Sequence, residues 1–339
     1  MKKNVFSIII PTIEVTPLLI QETLPSLAKQ SYSPFEVIIV PNTINIKKSK
    51  SLEKRYSWLK IIPSHNKIKP GIKRDLGAKR AKGSILVFID DDVFVPKNWL
   101  KCADELFQKY PKEVALGGPG IIVQAQNFWE NISNAVLQTP LGSGKLVYRF
   151  RKDHPRHVDD YPTMNLFMRA EIFKEIGGFQ TNYWPGEDSK LVNELLHNTK
   201  QSVYYHPDIW VHHHRRSSLI KHIKQHANYG KMRGTFAAQG DKNSTHLVFF
   251  IPSLFTVYCL LLIVSFFLKR DTVTLLFYSI PLFFYVLFAS RESLKYFFAS
   301  GNLIISFFML LMFPLTHLTY GISYISGFIH EKFSDTIEI

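Results

Sequence analysis

Hydrophobic and polar positions come in short blocks over the first 246 residues, then give way to long apolar runs. Val5–Ile10 (V-F-S-I-I-I) is a continuous apolar run stopped by Pro11, the pattern of a strand buried on both faces of a parallel sheet. Leu18–Gln30 carries Leu18, Leu19, Leu24, Leu27 and Ala28 at a helical spacing. Phe35–Val40 is a second buried strand, ended by Pro41–Asn42. Ile72–Ala81 predicts a helix with Gly83 placed to stop it, and Ser84–Ile89 a third strand. This succession is the βαβ pattern of a doubly wound sheet, in which ligands sit beyond the carboxyl ends of the strands. The residues following each run, Pro11–Thr12, Pro41–Asn42 and Asp90–Asp92, are therefore the candidate binding positions.

Further along, Asn127–Leu137 places Phe128, Trp129, Ile132 and Val136 at helical spacing, before a flexible G-S-G-K (142–145) and a basic stretch, Arg149–His157. Thr163–Asn165 leads into a strand at 166–169, and Val203–Tyr205 and Trp210–Val211 read as short strands. Ser217–Phe236 predicts an amphipathic helix with Leu219, Ile223, Ala227 and Met232 on one face. It suits either an interfacial position on lipid headgroups or packing against the front domain.

From Leu247 onward the pattern changes class. Leu247–Leu268, Val273–Ser290 and Leu303–Phe328 each reach the roughly 18 apolar residues that suggest a membrane-spanning helix. Buried helices of a soluble core would need a far larger protein to cover them. Pro252, Pro281 and Pro314 are tolerable in such helices. The second run is short and ends at Arg291, so it could pair with the first as a tight hairpin. Residues 331–339 form a polar tail.

Charge follows the same division. The chain of 339 residues has a formal net charge of +14, and acidic and basic residues cancel after residue 246, so the excess is all in the front part. A basic front domain beside an apolar tail fits a surface held against anionic headgroups. Nucleic-acid binding is the rival, but no zinc spacing, recognition-helix pattern or aromatic-spaced basic repeat supports it. The two cysteines, Cys102 and Cys259, make no C-x-x-C and no disulfide framework, which fits a reducing compartment. The N-terminal apolar run is too short for a cleaved signal, so the front domain is expected on the cytosolic face. Loop charges barely choose an orientation, with Lys269 and Arg270 on one side and Arg291 and Lys295 on the other.

The candidate chemistry centres on Asp90–Asp91–Asp92. Three consecutive carboxylates ending an apolar strand repel one another unless a cation is present. Two of them, at i and i+2 on an extended chain, face the same side and can hold Mg²⁺ or Mn²⁺. A solvated acidic turn is the plain alternative. Neither G-x-G-x-x-G after the first strand nor G-x-x-x-x-G-K-[ST] occurs, which counts against a dinucleotide dehydrogenase and a P-loop NTPase. Glu187–Asp188, after Pro185–Gly186, can also be read as an acidic pair at a helix N-terminus. His212–His213–His214 could bind a transition metal or simply form a polar surface strand. Arg215–Arg216 could steady phosphate oxygens.

Taken together, S-I-I-I-P-T (7–12), E-V-I-I-V-P-N (36–42), K-R-D-L-G-A-K-R-A-K-G-S-I-L-V-F-I-D-D-D (73–92), I-G-G-F (176–179) and P-G-E-D-S-K-L (185–191) resemble, in order, the family 2 glycosyltransferases of the GT-A fold. The resemblance implies an α/β class: a GT-A catalytic domain with a Rossmann-like mixed sheet over 1–215, an interface helix and linker over 216–246, and three transmembrane helices over 247–330. It implies inverting transfer of a sugar from a nucleoside diphosphate, UDP first and GDP or dTDP as options. The acceptor is expected at the membrane, a lipid-linked saccharide or a surface glycan. A polyprenyl-phosphate glycosyl synthase is the near alternative, and a transporter or an inactive nucleotide-binding membrane protein is the distant one.

By the same resemblance Asp92 and Asp90 are the metal-binding carboxylates of D-x-D, with Asp91 between them on the donor side, and His212 completes the metal shell. His214 shares its side of the strand. Asp188 is the catalytic base, with Glu187 beside it. Pro11, Thr12 and Asn42 meet the nucleoside, and Arg74 and Asp75 meet the base and ribose. Asn165, His214, Arg215, Gln225 and Arg233 fall on the acceptor or diphosphate side. Two departures stand out. The family commonly has Asp where this chain has Asn42, and the usual Q-x-x-R-W element is absent, with Gln225, Tyr229, Gly230 and Arg233 on an equivalent helix.

Overall fold

The structure is a computed structural model that describes residues 3–65, 67–122, 127–179, 181–268 and 271–334. Along the chain the elements run β1 (Phe6–Pro11), α1 (Leu24–Ala28), β2 (Phe35–Val40), α2 (Ile46–Arg55), β3 (Leu59–Ile61), α3 (Pro70–Ala78), β4 (Ile85–Ile89), β5 (Val93–Phe94) and α4 (Trp99–Lys109). Next come β6 (Ala115–Gly117), β7 (Gly120–Ile121), α5 (Phe128–Leu137), α6 (Pro140–Ser143), β8 (Arg156–Val158), β9 (Asn165–Arg169), α7 (Ala170–Glu175) and α8 (Glu187–Thr199). The chain ends with β10 (Val203–Tyr205), β11 (Val211–His213), α9 (Leu219–Gln239), α10 (Ile251–Phe267), α11 (Thr272–Ser300) and α12 (Leu303–Ser334).

Packing divides the chain into two units, Met1–Val123 with Arg151–His214, and Gln124–Phe150 with Arg215–Ile339. The first unit holds both sheets. The larger has the order β3-β2-β1-β4-β9-β6-β10-β8, and the smaller the order β5-β11-β7. β1 pairs in parallel with β2 on one side and β4 on the other, with Ile9 opposite both Ile38 and Phe88. All six β1 residues are buried, which explains an apolar run with no polar alternation. Because the chain leaves β1 towards β2 and later returns to place β4 on the opposite side, the switch point lies between β1 and β4. Thr12 and the Asp90–Asp92 run follow those two strands. β9 runs antiparallel to both β4 and β6, which makes the sheet mixed.

Gly83 has a different role from the expected helix stop, since α3 already ends at Ala78. A Cβ at Gly83 would lie 2.6 Å from the Val5 carbonyl oxygen. The residue is small because β1 passes against it. The G-S-G-K stretch is ordered as the end of α6 and a following 3-10 turn, Gly144–Arg149.

The second unit is helical, and α5 belongs to it rather than to the front domain expected over 1–215. The reason is the apolar face of α5. Ile132, Ala135 and Val136 form one buried cluster with Ala289, Ile305, Met309 and Phe313. Within this unit α9 packs on α12 through a face that differs from the expected one. The buried positions include His222, His226, Gly230 and Gly234, four residues apart, with Thr235, Phe236 and Ala237 in the last turns, whereas Ile223 and Met232 stay partly exposed. A Cβ at Gly230 would lie 2.4 Å from the Tyr320 oxygen, and one at Gly234 would strike the Tyr324 oxygen. Close backbone approach, the mode of small-residue helix pairs, sets this face.

Three helical stretches are long and apolar enough to cross a membrane: Leu247–Phe267, Thr272–Ser300 and Leu303–Phe333. Apolar side chains such as Leu261 and Phe283 are more than 60% exposed, a surface suited to lipid rather than water. The second helix is not the short span expected to end at Ser290. It continues to Ser300 because Glu292, 4% exposed, ion-pairs with Arg291 and Lys295 at 3.0 and 3.1 Å. Those two cations therefore lie in a helix and not in a loop. Pro281 opens the ladder of α11, and the Tyr258 hydroxyl closes it, donating to Tyr278 O at 2.9 Å and accepting from Leu282 N at 3.1 Å.

Candidate active site

Asp90–Asp92 leave β4 where strand pairing ends, and β11 comes back beside them. Strand alternation then decides which histidine meets the carboxylates. His213 Nε2 lies 3.3 Å from Asp92 Oδ1. Asp90, Asp92 and His213 offer ligand atoms within 4.8 Å of one another. Two carboxylates and one imidazole make a mixed oxygen and nitrogen donor set that fits a divalent ion and leaves coordination positions open. The histidine expected there was His212. Its ring instead stacks on Phe94 at a centroid distance of 4.2 Å, on the other face of the strand. Burial pushes its pKa down to about 4. His214 shares the face of His212, as expected, and bonds Glu22 at 2.7 Å.

Arg74 joins the two acidic motifs. Its guanidinium donates to Asp90 Oδ1 at 2.8 Å and to Glu187 Oε1 at 2.9 Å. Arg74 is 3% exposed and Glu187 7%. Residues 97 positions apart in the sequence thus share one cation, and α3 and α8 are clamped with it. Asp188, half-buried, occupies the first turn of α8 with one carboxylate oxygen accepting from Ser189 N at 2.8 Å. The acidic pair is thus also a helix N-terminal pair, stabilised by the unpaired amides there.

Between these groups lies a buried knot. The Thr12 hydroxyl is within bonding reach of Asp91 Oδ2 and of the Glu14 carbonyl oxygen. One hydroxyl hydrogen cannot serve both acceptors at once. Thr12 therefore shares its hydrogen between the two, and the bond it gives Asp91 favours the carboxylate. Burial pushes the Asp91 carboxyl up to about 6 against that bond, so it is mostly ionised at neutral pH and gains a proton on mild acidification. Lys73 Nζ donates to the Thr12 carbonyl oxygen at 2.6 Å. Burial lowers the pKa of this lysine, and the charge of Asp91 opposes the shift. Asn42, half-buried, donates its backbone N–H to Ile13 O at 3.0 Å, so the β1 and β2 ends are tied together.

The comparisons with known proteins bear on this arrangement directly. The description of Glycosyl transferase family 2 matches residues 7–177, half of the chain. The chain belongs to glycosyl transferase family 2. A relative from Methanococcus voltae is 26% identical over 293 residues, covering 80% of this chain and 88% of its own length. It is named dolichyl N-acetyl-alpha-D-glucosaminyl phosphate 3-beta-D-2,3-diacetamido-2,3-dideoxy-beta-D-glucuronosyltransferase. A glucosyl-dolichyl phosphate glucuronosyltransferase of Haloferax volcanii is 23% identical over 206 residues, 57% of this chain and 63% of that protein. Among solved structures, a mannosyltransferase from Pyrobaculum calidifontis in complex with GDP-Man and Mn²⁺ has a TM-score of 0.64 at 13% identity. It covers 98% of this chain and 89% of that one, and it supports the GT-A fold.

In this glycosyltransferase several expected contact residues turn out to be spent on the fold. Asn165 is fully buried; its amide donates to Gly118 O and Ile209 O at 2.8 and 2.5 Å, and its oxygen accepts from Trp99 Nε1. Both its donor hydrogens are used, so it staples backbone and does not reach an acceptor. Asp75, expected at the base and ribose, accepts from Phe179 N at 2.9 Å through one carboxylate oxygen, tying α3 to the I-G-G-F turn. Arg215, Gln225 and Arg233 belong to the second unit. There Arg215 N bonds Glu130, Gln225 bonds Tyr229, and Arg233 bonds Ser244 and lies over Phe249. Sequence reasoning missed His213 and Lys73. Alternation counted from a correctly bounded β11 would have found the first, since a strand assigned to Trp210–Val211 stops one turn of the pleat too early. No local pattern announces the second.

Proposed function

We propose that this family 2 glycosyltransferase moves a sugar from a nucleoside diphosphate to a lipid-linked saccharide at the membrane, with inversion at the anomeric carbon. The observation that carries the reading is the double ion pair of Arg74, which draws the Asp90–Asp92 run and the Glu187–Asp188 pair to one place. Metal-binding and proton-accepting carboxylates must flank the same sugar for a single displacement to work. Asp90, Asp92 and His213 would hold a divalent ion. When bound, that ion offsets the charge that builds on the departing diphosphate. The imidazole favours Mn²⁺ over Mg²⁺, which prefers oxygen alone. Asp188 takes the proton from the acceptor hydroxyl as it attacks. Glu187, paired with Arg74, fixes the start of α8.

The acceptor reading is supported by the three apolar helices and by the dolichyl-linked acceptors in the names of the two archaeal relatives. The catalytic unit is assigned to the cytosolic face, where nucleotide sugars are made and where its positive charge meets anionic lipid. UDP is the first donor nucleotide to try. Titration of the detergent-purified chain with UDP, GDP and dTDP, with and without Mn²⁺, tests the donor site. Metal-dependent binding of one nucleotide, lost in Asp92→Asn, is the expected result. A folded chain that binds none of them would end the proposal.

A further inference from the structure

Lys73 is an ammonium 2% exposed inside the first unit, yet no residue forms a close ion pair with it among the described residues. Taking such a charge out of water costs several kcal/mol unless something useful is gained. Among the described residues its one hydrogen bond, 2.6 Å to the Thr12 carbonyl oxygen, falls on the residue that follows β1. The hydroxyl of the same Thr12 bonds Asp91. The next residue on α3 is Arg74, whose two bonds go to Asp90 and Glu187. Two adjacent cations on one helix turn therefore answer two adjacent carboxylates of the acidic run, one directly and one through Thr12. A core position on α3 needs only an apolar side chain to pack. A lysine stem packs equally well, but its charged head does not.

We propose that Lys73 is a positioning residue of the donor site, which holds the end of β1 in its nucleotide-binding shape before the donor arrives. Its ammonium is buried and spends its hydrogen bond on a backbone oxygen, so it acts through Thr12 rather than on the donor itself. Its work is to keep the Thr12 carbonyl turned inward and the Asp91 carboxyl docked, so that the pocket floor is formed in the free enzyme. Preorganisation of this kind lowers the cost of binding and leaves the chemical step alone. The effect should thus fall on donor affinity and not on turnover.

The inference rests on the donor-site reading above, and one experiment separates the two. Lys73→Met keeps the length and bulk of the stem and removes the charge and the hydrogen bond. Lys73→Gln, shorter and neutral, keeps a donor. Both variants and the wild type are titrated with the nucleoside diphosphate in Mn²⁺, assayed for donor KM and kcat, and melted. Lys73→Met is expected to weaken nucleotide binding and raise donor KM at least tenfold, with kcat within twofold and a melting temperature equal to or above the wild type. Lys73→Gln is expected to fall between. Nucleotide affinity within twofold of wild type in Lys73→Met overturns the inference. So does a lowered melting temperature with unchanged affinity, or failure of both variants to fold, because each makes Lys73 a residue of the fold alone. A wild type that binds no nucleotide would instead overturn the donor site itself.

Discussion

Replacing Arg74 with Met should destabilise the first unit more than any single surface change, and the structure says by how much. Arg74 and Glu187 are both buried, and their side chains are 4% and 9% exposed. Removing the cation leaves Glu187 charged, desolvated and without its partner, which costs about 3–5 kcal/mol. The second pair adds little. Asp90 is 35% exposed at its side chain, so water screens it and about 0.5 kcal/mol is reasonable. For a domain of this size 1 kcal/mol moves the melting temperature by about 2–4 °C, so a drop on the order of 10 °C is expected. Glu187→Gln alone should be costly too, since it strands the guanidinium. The double variant Arg74→Met/Glu187→Gln has no buried charge left over and should recover part of the loss. Thermal unfolding of all four proteins in the same detergent gives the coupling. A shift of under about 2 °C in Arg74→Met, or a double variant as unstable as the two losses added, would refute the argument that uncompensated burial dominates.

Four other outcomes follow from the geometry. His213→Ala should weaken Mn²⁺ binding, read by loss of the free-ion resonance, on the order of tenfold or more, because one of three ligands is gone. His212→Ala should leave Mn²⁺ affinity alone and cost about 1 kcal/mol of stability from the lost Phe94 stack. Asp188→Asn should lower kcat by roughly 10²–10⁴ while nucleotide affinity stays within about twofold, the mark of a general base. Acid should loosen α9. Burial holds His222 at about 3 and His226 at about 4, below the ordinary histidine value. The unfolded chain therefore takes up protons first as pH falls below about 6.5, and stability present at neutral pH is lost on the way to pH 4. At pH 5 the loss is roughly 2 kcal/mol per histidine, and a melting profile that stays flat from pH 7 to pH 5 would contradict it.

How much was legible beforehand depended on range. β1, β2 and β4 could be read to within a residue because an apolar run ended by proline or aspartate is local information. The Asp90–Asp92 site could be placed at a strand end by the same means, and the family resemblance rested on such segments in order. The three apolar helices were legible because lipid imposes length and composition on each one separately. Only tertiary structure decided the rest. Which of three consecutive histidines meets Asp90 and Asp92 depends on the register of β11, and a shift of one residue reverses the answer. Asn165 resembles an acceptor contact until its partners, Gly118, Ile209 and Trp99, are brought together from three distant segments. The packing face of α9 follows glycine and histidine rather than leucine and isoleucine, because α12 approaches closely enough to need the space. Sequence periodicity reports what each segment prefers beside water or lipid. It carries no record of which other segment arrives, and so the approach of His213 to Asp90 and Asp92 and the burial of Lys73 came from packing alone.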